Sequence, residues 1–133
     1  GDAPAAVKLL RAAQPRFPQE RAIAYDLVAA LHVAHLPQEA IKVTEDDLLN
    51  YPSDAKMHAL QAKTYAMLGK RLQQHRAQAE LYALQGHLVA AVQQLELAQK
   101  AGDGDFFEHS QVDARLRELK IRQQEEAKQK LPL

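Results

Sequence analysis

The chain has 133 residues, and its 17 Lys plus Arg balance 17 Asp plus Glu, so its formal net charge is zero. This length predicts one domain, and the lack of a positive excess argues against a nucleic-acid or anionic-membrane binder. The absence of cysteine excludes disulfides, thiolate nucleophiles and cysteine-ligated zinc. Because no run of about 18 apolar residues occurs, no membrane span is predicted.

The composition favours helices throughout. Ala, Leu and Gln number 24, 19 and 15, against five Gly and one Asn, and these abundant residues are strong helix formers. Proline and glycine divide the first half into four predicted helices, because each of them interrupts the apolar period of three and four residues. These predicted helices cover residues 5–13, 19–34, 37–51 and 54–69.

The second half predicts three more helices. Residues 71–85 form one that stops at Gly86, and residues 88–100 carry the clearest apolar stripe. Residues 102–105, Gly-Asp-Gly-Asp, predict a flexible break. A last helix follows, with Val112, Leu116 and Leu119 as its buried seam.

The period of the helix pairs predicts a right-handed α-solenoid of tetratricopeptide type, with about seven helices. Residues 21–54 and 72–105 each span close to the 34-residue unit of that repeat, and Ala40 and Ala91 occupy its small-residue position. Residues 57–69 resemble the first helix of another unit. The fifth helix would then be both the second helix of that unit and the first helix of the next. We expect residues 1–121 to form the repeat domain. Residues 122–133 are a polar helical extension that either frays or leans on a neighbouring element.

Three strings of the second half resemble one family. The run 75–86 (HRAQAELYALQG), the run 91–95 (AVQQL) and the run 110–119 (SQVDARLREL), with a Phe at 106 or 107 before it, are similar to the C-terminal tetratricopeptide domain of certain periplasmic zinc metallopeptidases. These enzymes are related to the β-barrel assembly-enhancing protease. The resemblance implies a non-catalytic interaction module in the periplasm, attached to a peptidase domain. Its implied partners are the outer-membrane β-barrel assembly machinery or unassembled barrel proteins.

The catalytic signature of that family is absent from this chain. No H-E-x-x-H occurs, so the family's zinc ligands and general base have no counterpart here. We expect no catalytic, cofactor-binding or metal-binding residue, with zinc confined to the peptidase half that the resemblance implies. The chain begins without Met or a leader, which predicts that it is an excised piece of a longer protein.

Positive charge combined with aromatic side chains on the inner helices of the stack marks the predicted partner-binding surface. The alternative is that these residues are packing side chains and a solvated basic face. The six candidates are Lys63, Tyr65, Arg71, His75, Arg76 and Tyr82.

Other polar residues receive structural interpretations. His32 and His35 lie one turn apart but lack a third metal ligand, so both are predicted to face solvent. Asp47 takes the place of a small packing residue, which predicts a surface position or a cation beside it. Two alternatives to the family assignment are a general tetratricopeptide scaffold and a co-chaperone adaptor. An adaptor's dicarboxylate clamp needs two Asn side chains, and Asn50 is the only Asn. An enzyme is not favoured, since no nucleophile, paired-carboxylate or phosphate-loop pattern occurs.

Overall fold

A computed structural model describes residues 2–130, and these residues form seven helices and no strand. This confirms the all-α helical-repeat prediction and the helix count. The helices are α1 (Ala3–Arg16), α2 (Arg21–Val33), α3 (Pro37–Asn50), α4 (Ala55–Met67), α5 (Arg71–Leu84), α6 (Leu88–Gln99) and α7 (Phe106–Gln129).

One predicted bound needed correction. The first helix was expected to end at Ala13, but α1 continues through Pro15 to Arg16. Pro15 lies one residue before the end of the helix, so its missing backbone N–H removes a hydrogen bond of the last turn only. At the other end, residues 122–129 continue α7 as a mostly exposed helix. Residues 131–133 of the predicted extension lie outside the described residues.

The chain forms two compact units, Gly1–Gly69 and Lys70–Leu133. In the first unit α2 packs against α1, α3 and α4, and α3 also packs against α4. In the second unit α6 packs against α5 and α7, and α5 also contacts α7. The interpretation that α5 closes the preceding repeat stays a prediction.

Each unit has its own apolar core. Ala79 and Ala91 are fully buried where α5 meets α6, as the repeat frame predicts, and Ala40 is buried in the same way in the first unit. Small side chains allow two helix backbones to approach closely, so each of these sites is sensitive to added volume.

The loop predicted as a flexible break is a double helix cap. The Asp103 carboxylate accepts hydrogen bonds from the backbone N–H groups of Arg71 (2.7 Å) and Leu72 (2.9 Å), which begin α5. Asp105 forms a capping box with Glu108 at the start of α7. Gly104 lies so close to α5 that an added Cβ would be 2.8 Å from Leu72 Cδ1. The aspartates therefore fix this loop, where the glycines alone suggested mobility.

Candidate functional site

The six predicted binding residues divide between the two units. Lys63 and Tyr65 lie on α4 in the first unit, and the other four lie on α5 in the second. Lys63 and Arg71 are exposed, as a binding role requires, whereas the others are half-buried. Lys63 and Tyr65 are two residues apart, so they project from nearly opposite sides of α4.

On α5, Arg71, His75 and Tyr82 share one stripe of the helix surface. The His75 ring contacts Gln94 on α6, with 2.9 Å between Nδ1 and Oε1. Tyr82 packs against the apolar core of the second unit. Arg71 is therefore the exposed cation of this stripe, while His75 and Tyr82 are half-buried by these contacts.

Arg76 belongs to a row of polar contacts between α5 and α7. Its guanidinium donates to Gln111 Oε1 at 2.7 Å, and the neighbouring pairs are Gln73 with Glu108 and Glu80 with Arg115. All three pairs join residues 35 positions apart. A constant offset means that α5 and α7 run parallel, as the first helices of successive repeat units do.

The first unit contains a buried histidine, which corrects the prediction that His32 faces solvent. His32 Nε2 lies 2.6 Å from the hydroxyl oxygen of Thr64 on α4. The Thr64 hydroxyl donates its proton to the Leu60 carbonyl oxygen, so His32 must donate from Nε2. Nδ1 is then the unprotonated nitrogen, and it is buried without a partner. Burial, together with the charge of Lys63, lowers the pKa of His32. His35 is exposed, as expected.

Asp47 is also buried, at 8% exposure, where a surface position or a cation partner was predicted. Its carboxyl pairs with that of Asp54, the residue that caps α4 through the backbone N–H of Met57 (3.0 Å). Arg21 supplies the nearby cation, with Nη1 3.6 Å from Asp54 Oδ2. The Tyr25 hydroxyl donates to the same oxygen at 2.8 Å. Asp47 Oδ2 has no hydrogen-bond partner.

The two carboxyls titrate in opposite directions. Burial and the hydrogen bond with Asp54 raise the pKa of Asp47 to about 7. Burial opposes ionisation of Asp54 as well, but the hydrogen bonds from Asp47, Met57 and Tyr25 outweigh it and lower the pKa of Asp54. Asp47 therefore holds the proton of the pair and donates it to ionised Asp54.

The sequence contains a signal for this helix cap that the 34-residue period does not reveal. Asp54 and His58 recur as Asp105 and His109, 51 positions later. Both aspartates cap the following helix, and both His Nε2 atoms lie within 3 Å of the carbonyl oxygen six residues earlier, at 2.9 Å and 2.8 Å. An offset of 51 is one and a half 34-residue repeats. It relates α2–α4 to α5–α7.

Within residues 2–130, no three His, Asp or Glu side chains are grouped so that they could hold a metal ion. None of the helices in that range has the length and apolar character needed to cross a bilayer. No protein-family profile matches the sequence, and no curated protein matches it.

Proposed function

We propose that the chain is a non-catalytic protein-interaction module of tetratricopeptide type. The observation that carries the proposal is the recurrence of one three-helix arrangement at an offset of 51 residues, with parallel α5 and α7 joined by pairs 35 residues apart. Stacked helix pairs of this kind present extended surfaces on which other proteins bind.

The sequence strings of residues 75–119 support a more specific proposal. In this proposal the module lies beside a zinc metallopeptidase domain in the periplasm and binds the outer-membrane β-barrel assembly machinery or its unassembled substrates. The module positions the peptidase and does not itself cut. Any zinc chemistry belongs to the attached domain.

The exposed cations Lys63 and Arg71 are the proposed contact points. Both side chains are free to meet an acidic or extended segment of a partner. Arg71 also begins α5, where its backbone N–H donates to Asp103 and its charge helps to lower the pKa of that carboxyl, so circular dichroism must show that each variant is folded.

The test is retention of assembly-machinery components by the immobilised chain. We expect Lys63→Glu with Arg71→Glu to weaken retention by about tenfold or more, since unfavourable charge juxtaposition costs several kcal/mol at an interface. The matched control is Lys42→Glu with Lys120→Glu, which reverses one exposed lysine in each unit. In a protein that also contains the peptidase domain, cleavage of an unfolded substrate should be unchanged.

Normal retention by the Lys63/Arg71 variant would refute both contact points and make α7 the better candidate. Failure of the folded chain to retain any component would refute the proposed partner.

A further inference from the structure

The first helix, α1, occupies the place of a second helix in the repeat. α3 begins 34 residues after α1, and α6 begins 85 residues after it; these distances are one and two and a half repeat lengths. α1 and α3 each have 14 residues and end at an aromatic cap, Phe17 and Tyr51, with the same φ of −133°. α1 is therefore the second helix of a pair, packed like α3 and α6 against the first helix that follows it.

At the offset of 85 residues, α1 and α6 have closely similar sequences. Residues 5–14 (AAVKLLRAAQ) and 90–99 (AAVQQLELAQ) are identical at six positions. Three of these identities fall on side chains that α6 buries completely in the core of the second unit. The pairs are Ala6 with Ala91, Leu10 with Leu95, and Ala13 with Ala98. α1 thus carries the same core-forming residues as α6.

In α1 this surface is open. Among the described helices only α2 packs along α1, and α3 reaches it through the ion pair of Arg11 with Glu39. No described helix lies beside α1 as α5 lies beside α6. The α1 face consists of Ala6, Leu10 and Ala13, which are half-buried, and Leu9, which is 72% exposed. A terminal helix of a repeat stack normally has a polar outer face, so this apolar face indicates that another helix covers it.

α2 adds a second wall beside the α1 face. α2 and α7 are both first helices of a pair, and they begin 85 residues apart. The residues of α7 that contact α5 correspond to Ile23, Asp26 and Ala30, which we call the α2 wall. Ile23 and Ala30 are half-buried and Asp26 is exposed. A helix seated on the α1 face would therefore meet two apolar side chains and one acid of α2.

Asp26 determines the charge that such a helix needs. Its counterpart in α7 is Gln111, which accepts a hydrogen bond from Arg76 of α5 at 2.7 Å. A basic residue at the position of Arg76 would form an ion pair with Asp26, and the same apolar stripe that α5 uses would cover the α1 face. The chain itself thus provides a template for the occupant, which is α5.

The α7 helix of a second copy does not fit this template. Ala79 and Ala83 of α5 lie in the core of the second unit, and they correspond 34 positions later to Asp113 and Arg117 of α7. Asp113 also accepts a hydrogen bond from Gln99 at 2.7 Å. Packing α7 of another copy on the α1 face would bury these charged groups, which is costly.

We propose that the groove between the α1 face and the α2 wall binds an amphipathic helix of a partner protein, with an apolar stripe like that of α5 and a basic residue opposite Asp26. The inference rests on the proposed function only in assigning this helix to a protein partner. A synthetic peptide tests the groove without any partner.

The experiment is a titration of the full chain with a peptide of residues 70–86, the sequence of α5, followed by amide chemical shifts in NMR. The chain's own α5 should stay in place because it competes at a high effective concentration. We expect shifts of the amides of the α1 face and the α2 wall. The same peptide with Ala79→Asp should bind at least about tenfold more weakly, because it would bury a carboxylate.

Two variants of the chain test the two walls. Leu9→Glu should weaken peptide binding by about tenfold or more, since the leucine is lost from the contact. Leu49→Glu, at an 81% exposed position of α3, is the matched control and should leave the affinity unchanged. Asp26→Lys should also weaken binding, and a peptide with Arg76→Glu should restore it.

Absence of shifts in α1, shifts confined to α6 and α7, or equal affinity in the Leu9→Glu chain would overturn the groove. Sedimentation equilibrium tests the second copy as occupant. A wild-type dimer that Leu9→Glu converts to a monomer would show that another copy of the chain covers the α1 face, and would overturn the assignment to a partner protein.

A final comparison separates this inference from the proposed function. Retention of assembly-machinery components by the Leu9→Glu chain should fall together with peptide binding. If peptide binding is lost and retention is unchanged, the assignment of the helix to that partner is wrong. Failure of the Lys63/Arg71 test leaves the peptide titration unaffected, so the two proposals fail separately.

Discussion

The segments α2–α4 and α5–α7 share one frame but differ in what they bury. Three buried polar residues of the first segment correspond, 51 positions later, to buried apolar residues of the second. The pairs are His32 with Ala83, Thr44 with Leu95, and Asp47 with Ala98. Both segments keep the small residue at the closest helix crossing, Ala40 in one and Ala91 in the other.

This difference shows which buried residues the shared three-helix arrangement needs and which it does not. In the second segment apolar side chains fill the corresponding buried positions. The three-helix arrangement therefore does not require the buried polar residues of the first segment. Buried polar groups lower stability unless every donor and acceptor is paired. Here His32 Nδ1 and Asp47 Oδ2 are unpaired. The first segment therefore combines the three-helix arrangement that both segments share with buried polar groups whose pKa values are shifted.

The largest expected effect comes from placing the first segment's acid in the second. Ala98→Asp puts a carboxyl at a fully buried position, and the counterpart of Asp54 there, Asp105, is exposed and engaged in the capping box with Glu108. We expect the free energy of unfolding to fall by about 3 kcal/mol or more. Gln93→Asp, at an exposed position of the same helix, is the control. An unaltered thermal midpoint for Ala98→Asp would show that the correspondence of Ala98 with Asp47 is wrong.

Overpacking the helix crossings tests whether the two segments share the same close approach. Ala91→Leu and Ala40→Leu should each lower stability by about 1–3 kcal/mol, because both alanines are fully buried. Val89→Leu, on the exposed side of α6, should leave the chemical-denaturation midpoint almost unchanged. A loss at Ala91 without one at Ala40 would restrict the close crossing to the second segment.

Asp47→Asn should raise stability at pH 8 by about 1–2 kcal/mol, because it removes a buried charge next to Asp54. The folded-state pKa of Asp47 is raised to about 7 from an ordinary value of 3.8. Wild type therefore loses stability as the pH rises through this interval, and the advantage of the variant shrinks as the pH falls toward 4. Thermal melts at several pH values measure this gap. A difference in stability between variant and wild type that grows as the pH falls would contradict the assignment of the proton to Asp47.

Substitutions in the turns that join α2 to α3 and α5 to α6 should change stability least. His35 and Gly86 correspond at the offset of 51, and both have positive φ, 59° and 80°. Only glycine adopts this conformation without strain. His35→Gly should raise stability by about 1 kcal/mol and Gly86→His should lower it by a similar amount. A loss of stability in His35→Gly, or none in Gly86→His, in denaturant titrations would show that these turns are not equivalent.

The sequence was sufficient for the helices and for the small-residue crossings, because both follow from local periodicity and composition. It was insufficient for His32 and Asp47. The burial of His32 depends on Thr64, 32 residues later, and that of Asp47 on the approach of the α4 cap. The role of Asp103 was missed for the same reason, since its two donors lie on α5. Contacts between residues distant in the chain decide which polar side chains become buried.

The first segment buries two groups, His32 and Asp47, whose pKa shifts make stability depend on pH in opposite directions. Because the folded-state pKa of His32 is lowered, its contribution to the free energy of unfolding rises with pH up to about 6.5. Asp47, whose pKa is raised, does the opposite up to about pH 7. Native-state hydrogen exchange of His32→Gln and of Asp47→Asn between pH 5 and pH 8 measures both effects residue by residue. Relative to wild type, we predict pH slopes of opposite sign for the two variants, confined to the amides of α2–α4. Slopes of the same sign, or equal changes in α5–α7, would contradict the account.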